Sequence, residues 1–355
     1  MKILLLGEFS ALHKNLKEGL VELGHEAIVA GNGDGYKKIP SDISLDSNIP
    51  WKFGNIADRL KRLFLLNKFK YYDVVQLINP FIIHFKYFPK YYFIEKIIQN
   101  NAKFFILAAG DDAYFWRYGR KKLKYGPFDD FLKYDIKSDT YFMESVEALK
   151  YNNWILQKCN GIIPIMYEYE KSYEGHPKRL NTIPIPINTN KIIYRENKVA
   201  NKLVVFHGLN RYGFKGTRLV EEAFEYLRNK YPNDLELVID GKMPLSDYLK
   251  LMQRVNVVID QMYSHSLGVN GVYALAMGKI VMGGAEPESL VSLGVESSPV
   301  INLEPNAKSI IQQVQRLLEC KNKIPEMGYE SRKFAENVHN HVKVAQKYID
   351  TWNKY

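Results

Sequence analysis

Strand-length apolar runs alternate with helix-length amphipathic segments along most of this chain, and the alternation runs twice. The first run is Lys2–Leu6, which ends at Gly7. A helical period in Leu12, Leu16, Leu20 and Leu23 follows and stops at Gly24, and a second strand is expected over 26–30. Strand, helix and strand within about 30 residues form the βαβ unit of a parallel sheet, because parallel strands need a long crossover. Further buried-strand candidates lie at 73–78, 103–108 and 161–165. The first half therefore reads as a doubly wound α/β domain.

Ile183-Pro-Ile-Pro-Ile-Asn188 breaks the pattern, since two prolines in an apolar setting favour an extended crossing and resist helix. The alternation then restarts, with strands expected at 203–206, 235–240, 255–260 and 280–282 and helices at 217–230, 245–254 and 270–277. At 355 residues the chain exceeds the size at which a single core stops growing. The expected organisation is α/β, with two Rossmann-like domains facing a cleft. Residues 1–185 form the first domain and 186–335 the second, and a closing helix over about 336–355 packs back on the first. In such sheets ligands sit beyond the carboxyl ends of the strands.

The segment Val204-Val-Phe-His-Gly-Leu-Asn-Arg-Tyr-Gly-Phe-Lys-Gly-Thr217 leads from an apolar strand through a basic, glycine-punctuated loop into a helix. Free amides and the helix dipole at such a junction favour an anion. Arg211 and Lys215 add full charges, and Gly213 and Gly216 allow close backbone approach. A bound diphosphate is one reading, and a solvated turn is the other.

Composition narrows the partners without choosing among them. The formal charge of +10 admits nucleic acid, an anionic membrane surface or anionic small molecules. Basic and aromatic residues interleave over 56–70 and 84–92. In the first of these, Ile56, Leu60, Leu63 and Phe64 share a helical face bordered by Arg59, Arg62, Lys68 and Lys70, which suits either an interfacial membrane helix or a core-packed helix with a basic rim. No nucleic-acid motif is present, and nucleic acid is not expected as a partner. Cys159 and Cys320 lack metal or disulfide spacing, and no apolar run approaches bilayer length. The expected location is cytoplasmic, possible membrane contact being peripheral at the inner face.

A second strand-to-helix junction lies in Asp260-Gln-Met-Tyr-Ser-His-Ser-Leu-Gly-Val-Asn-Gly-Val-Tyr-Ala-Leu-Ala-Met-Gly278, where a Gly-Asn-Gly opening starts a helix. The order His207-Gly, Arg211, Lys215-Gly-Thr217, Ser266-Leu-Gly268, Ala274-Leu-Ala-Met-Gly-Lys-Ile-Val281, Gly283-Gly284 and Pro287-Glu288 resembles the donor domain of GT-B glycosyltransferases, and most nearly their family 4. The opening Leu6-Gly7 and Gly19-Leu-Val-Glu-Leu-Gly-His25 is similar to the acceptor domain of the same enzymes. The resemblance implies transfer of a sugar, of hexosyl type and with retention, from a nucleoside diphosphate sugar to a hydroxyl of a glycan or lipid-linked saccharide. Surface polysaccharide or glycoconjugate synthesis is the setting it implies. It maps the family's basic pair onto Arg211 and Lys215. It also places His265 and Tyr273 where the family carries a Glu-x7-Glu pair, so both carboxylates are replaced.

The donor-binding set implied in this way is Gly208, Asn210, Arg211, Lys215, Gly216, Ser266, Leu267, Gly268, Asn270 and Tyr273. The acceptor side is expected at Gly7, Glu8, Ser10, His13, Asp111 and Asp112, around the ends of the first-domain strands. Asp111, Arg211, Lys215 and His265 are the catalytic candidates. Asp111 would orient an acceptor hydroxyl or take its proton, although capping a helix is the commoner use of an aspartate there. No Asp-x-Asp cluster occurs, and neither metal nor cofactor is expected. A nucleotide-sugar epimerase or hydrolase of the same fold and a non-catalytic nucleotide-sugar-binding protein remain the alternatives.

Overall fold

A computed structural model of the chain describes residues 1–46, 60–83, 91–134, 141–209, 212–241, 243 and 245–355. The first sheet holds β1 (Lys2–Leu6), β2 (Glu26–Gly31), β3 (Ile43–Ser44), β4 (Val74–Ile78), β5 (Lys103–Ala108) and β6 (Gly161–Pro164), in the order β3-β2-β1-β4-β5-β6. The second holds β7 (Leu203–Gly208), β8 (Leu235–Asp240), β9 (Val257–Ile259), β10 (Ile280–Gly283) and β11 (Ile301–Asn302), in the order β11-β10-β9-β7-β8. Every pairing among these strands is parallel.

Parallel sheets are covered on both faces, which is why these strands read as continuous apolar runs rather than alternating ones. On one face Ile3 and Leu5 of β1 join Leu12, Leu16 and Leu20 of α1 (Leu12–Glu22). On the other, Leu4 and Leu6 join Phe93 and Ile97 of α2 (Tyr92–Gln99) and Ile155 of α3 (Val146–Lys158). The second sheet is covered likewise. Val205, Val257 and Ile259 pack with Val220 and Phe224 of α5 (Thr217–Lys230), while Val204, Phe206 and Val258 face α7 (Val269–Ala276). The short α4 (Tyr167–Ser172) follows β6, and α6 (Leu245–Arg254) joins β8 to β9.

Two helices close the chain, α8 (Ile324–Val338) and α9 (His341–Lys354). The first presses on α7, so closely that a Cβ at Gly328 would lie 2.4 Å from the Gly278 carbonyl oxygen. The second lies on α1: a Cβ at Gly19 would meet the His341 carbonyl oxygen at 2.2 Å, and Lys103 Nζ donates to the Trp352 carbonyl at 2.7 Å. The proline-rich crossing is fastened to the turn between these helices, because Ile187 N donates to the His339 carbonyl and His341 N to the Ile187 carbonyl.

Among the described residues no helix is long and apolar enough to cross a membrane. Of the basic segment 56–70, residues 56–59 lie outside the description, and the helix over 60–65 leaves Leu60 and Phe64 in solvent, Phe64 at 81% exposure. Phe69 is buried instead. Most of 84–92 lies outside the described residues.

Candidate functional site

In the second sheet the chain leaves β7 on one side for β8 and is joined on the other by β9, so a crevice opens at the carboxyl ends of β7 and β9. Asp260 follows β9 there and is fully buried. Its Oδ1 lies 3.2 Å from Lys215 Nζ, and its Oδ2 accepts from Gly268 N at 2.8 Å. Lys215 stands just before α5 and Gly268 just before α7. One buried carboxylate therefore fastens both strand-to-helix junctions. Gly216 requires glycine, since it has φ +70 and a Cβ there would fall 2.6 Å from Met262 Cβ, while a Cβ at Gly268 would meet the end of the Gln261 side chain, Nε2, at 2.4 Å and displace it.

His207, the penultimate residue of β7, is buried beneath this crevice. Its Nδ1 donates to the Ile259 carbonyl at 3.0 Å, which leaves Nε2 to accept from Thr217 Oγ1 at 3.0 Å. Burial first, and the Lys215 charge second, push its pKa down to about 4. The ring is a neutral strut between β7, β9 and the start of α5.

A cleft of about 920 Å³ runs between the two halves, from α1 to α6 and α7. Of the residues expected to bind a donor, Gly208, Asn270 and Tyr273 line it. Asn270 Oδ1 accepts from Tyr248 OH, while its Nδ2 is buried without a partner, 3.7 Å from where a Cβ of Gly208 would stand. Tyr273 OH accepts from Asn15 Nδ2 at 2.9 Å, a bond that crosses the cleft from α1. Asn210 and Arg211 lie outside the described residues. Leu267 borders a separate small cavity with Ser266.

His265 and Ser266 are held from across the molecule. Glu168, at the start of α4 and 2% exposed, accepts from Ser264 Oγ at 2.5 Å, His265 N at 2.7 Å and Ser266 N at 2.9 Å. The His265 ring stacks on Tyr125 with centroids 4.4 Å apart and an interplanar angle of 18°, and Tyr167 covers it at 5.5 Å. Tyr125 OH in turn donates to Glu286 Oε1 at 2.5 Å. His265 is therefore covered, at 1% exposure.

On the first-sheet side, the turn after β1 carries Ser10 and Ala11 at φ 52 and 64, a pair of strained non-glycine residues at the head of α1. Ser10 lines the cleft and its Oγ accepts from Lys37 Nζ. Gly7, at φ +87, leaves no room for a Cβ, which would meet Ile78 Cγ2 at 2.6 Å. Glu8, His13 and Asp112 face inward. The Glu8 carboxylate accepts from His13 N and Lys14 N at the start of α1, and burial raises its pKa to about 7. His13 Nδ1 donates to the Gly7 carbonyl, and burial lowers its pKa to about 4. Asp112 accepts from Phe115 N and Tyr173 OH, and burial raises it to about 6. These three were expected on the cleft wall, and the hydrogen-bonding needs of the β1 and β5 turns draw them into the fold instead. Asp111 is half-buried and accepts from Tyr141 OH at 2.8 Å.

These buried groups set an acid dependence. His13, His207 and the equally buried His339 each hold a pKa near 4 against 6.5 when unfolded, so the unfolded chain binds the extra protons as pH falls from 6.5 to 4. Their stability is full above 6.5 and is lost across that window. Glu8 and Asp112 act oppositely, since the native state keeps protons up to about 7 and 6 that the unfolded chain releases near 4. Three groups against two leave about one net proton, or about 1.4 kcal/mol per pH unit, lost on acidification. Thermal unfolding from pH 7 to 4.5 is expected to show this fall, and Glu8→Gln to steepen it; a fall that becomes shallower in that variant would refute the assignment.

Asp260, Glu168, Tyr125 and Asn15 escaped the sequence reading. Asp260 carries one legible signal, a carboxylate directly after an apolar run. For Glu168 no local signal exists, because its three donors lie 96 to 98 residues away.

No family profile matches the chain, and no curated protein matches it in sequence. Its architecture, two parallel Rossmann-like sheets, is nevertheless that of the GT-B glycosyltransferases. Among solved structures it is similar over the full length of both chains to HepE from Anabaena in complex with UDP-glucose, with a TM-score of 0.65 at 15% identity. Sucrose-phosphate synthase from Thermosynechococcus elongatus matches with a TM-score of 0.63 at 11% identity, over 100% of this chain and 99% of that one. UDP-GlcNAc 2-epimerase from Neisseria meningitidis bound to UDP-GlcNAc matches over both full chains, with a TM-score of 0.54 at 13% identity. At these identities the likeness establishes the fold.

Proposed function

We propose that the chain is a glycosyltransferase that moves a hexosyl group from a nucleoside diphosphate sugar to a hydroxyl of a glycan or lipid-linked saccharide. The observation that carries this is the pairing of two strand-to-helix junctions through Asp260, with Lys215 held between them at the switch point of the second sheet. The UDP and UDP-glucose bound to HepE, a protein of the same fold, support a uridine nucleotide as the donor.

In this reading the diphosphate lies across the amino ends of α5 and α7, where free amides face it. Lys215 and Arg211 neutralise the charge that grows on the leaving nucleotide, so this step draws on protein cations and no metal. Gly208 allows the nucleotide close to the β7 backbone, Asn270 offers its buried unpartnered amide, and Tyr273 hydrogen-bonds a ribose hydroxyl. Asp111, at the carboxyl end of β5, orients the acceptor hydroxyl and accepts its proton. Retention of configuration is part of the proposal, although His265 and Tyr273 supply no fixed negative charge. The exposed Leu60 and Phe64 on a basic helix fit an enzyme working at an anionic membrane surface in polysaccharide or glycoconjugate synthesis.

A thermal-shift titration with UDP and UDP-glucose tests the donor site. A ligand at 100 times its Kd stabilises by about 2.7 kcal/mol. Arg211→Ala is expected to abolish the shift, and a full shift in that variant would sink the diphosphate assignment. The epimerase of the same fold is separated by product: UDP released only when a hydroxyl acceptor is present marks transfer, whereas free nucleotide or an isomerised sugar without acceptor marks the rival reaction.

A further inference from the structure

The cleft continues past Tyr273 along α7 to a second group of cations. Lys279, just before β10, lines it and is only 4% exposed. No hydrogen bond or ion pair to its ammonium group is found among the described residues. Arg195, exposed on the crossing between the two halves, lines the same end of the cleft, and the neighbouring Glu196 is turned to Lys198 at 2.8 Å. Of the other lysines lining the cleft, Lys191 bonds Glu18 at 2.8 Å, Lys14 approaches the same carboxylate at 3.8 Å, and Lys37 bonds Asp34 at 2.6 Å.

The Lys279 stem is covered while its ammonium reaches the cleft, so an anion entering from the cleft would supply the opposing charge that the fold does not. Two uncompensated cations, one a point charge and one a planar fork, match a dianion with several oxygens. Burial first, and Arg195 second, lower the Lys279 pKa to about 8, the direction expected when an opposing charge is missing. The walls leading to this end are apolar, with Ile192, Ile193, Leu249, Met252 and Met277.

We propose that Lys279 and Arg195 form a phosphoryl-binding subsite at the end of the cleft away from the Lys215 junction, which takes either a free phosphate monoester or the phosphoryl group of a ligand whose apolar part lies along the cleft. The subsite does not depend on the identity of the sugar donor.

Competitive trace acetylation, read lysine by lysine by mass spectrometry, tests it on the intact protein. Raising the Lys279 pKa by one unit from about 8 cuts its neutral fraction at pH 8 from one half to about a tenth, so bound phosphate slows its labelling about fivefold. Inorganic phosphate and octyl phosphate are both expected to give this protection, sodium chloride at equal ionic strength none. Protection at lower concentration by octyl phosphate assigns the site to a phosphoryl group on an apolar carrier, and equal potency assigns it to free phosphate. Arg195→Gln, an exposed change, is expected to speed no other lysine and to remove most of the protection. Unchanged labelling under both probes overturns the subsite. So does protection that vanishes in Arg211→Ala, because the anion would then belong to the donor site.

Discussion

Asp260→Ala is expected to destabilise the protein by about 3–5 kcal/mol, the usual cost of stripping one partner from a buried charge pair, and to abolish the UDP thermal shift. The carboxylate is fully buried, and both its oxygens are used. Its removal leaves Lys215, whose side chain is only 12% exposed, without an opposing charge, and leaves Gly268 N without an acceptor. It also opens space between the two glycine-lined junctions, since Cβ positions at Gly271 and Gly268 fall 2.9 and 3.3 Å from Asp260 Oδ2. Denaturant unfolding gives the stability and a UDP titration gives the binding.

The double variant Asp260→Ala/Lys215→Met separates the two roles. With both charges gone, no ion is stranded, and much of the lost stability is expected to return. Nucleotide binding is not, because the cation that meets the diphosphate is gone as well. A double variant as unstable as Asp260→Ala would show that the ion pair is not the source of the cost. Recovered UDP binding would remove Lys215 from the site.

The sheets were legible because buried parallel strands announce themselves as apolar runs of the right length. β1, β5 and β8 start and stop where the residues change character, at Gly7 and after Ala108 and Asp240. β9 is shorter than its apolar run, Val257–Ile259 against an expected 255–260, since Val255 N still closes the end of α6 on the Leu251 carbonyl and Asn256 spends its side chain on Val204 N and Asn197. β7 is longer than expected, reaching Gly208, because His207 and Gly208 keep register with Ile239 and Asp240 of β8.

The site was legible in part. A glycine-punctuated basic loop can be seen locally, and so can a helix opened by Gly-Asn-Gly. What holds them together cannot, because Lys215 meets Asp260 across 45 residues and Tyr273 meets Asn15 across 258. Polarity also misled: Glu8, His13 and Asp112 look like cleft residues in sequence, yet each satisfies backbone or side-chain groups at the turns that follow β1 and β5. The same hydrogen-bonding capacity serves a ligand or a turn, and burial decides which.

His265 and Tyr273, the two positions that the resemblance aligns with a carboxylate pair, both make contacts across the cleft. Tyr273 OH accepts from Asn15, which leaves its own proton to donate, and His265 lies under Tyr125 with its backbone bound to Glu168. Both positions now join the two halves. Glu170 adds to the same seam by accepting from Ser292 Oγ and Thr182 Oγ1.

Glu168→Ala should therefore do more than lower stability; it should uncouple the two halves. Three buried donors, Ser264 Oγ, His265 N and Ser266 N, lose their common acceptor, and an unsatisfied buried donor costs about 1–3 kcal/mol. The expected loss is about 3 kcal/mol or more, and where the wild type is expected to unfold in one calorimetric transition, the variant is expected to show two as each half unfolds on its own. Glu168→Gln keeps an amide oxygen in the position of Oε1 and places its NH2 where the buried, unpartnered Oε2 now sits, so it should cost about 1 kcal/mol and keep one transition. Because residues 264–266 lead directly into α7, the alanine variant is also expected to weaken UDP binding while the glutamine variant largely retains it. Wild-type stability in Glu168→Ala, or equal losses in the two variants, would mean that the carboxylate merely fills space and that the halves are held together elsewhere.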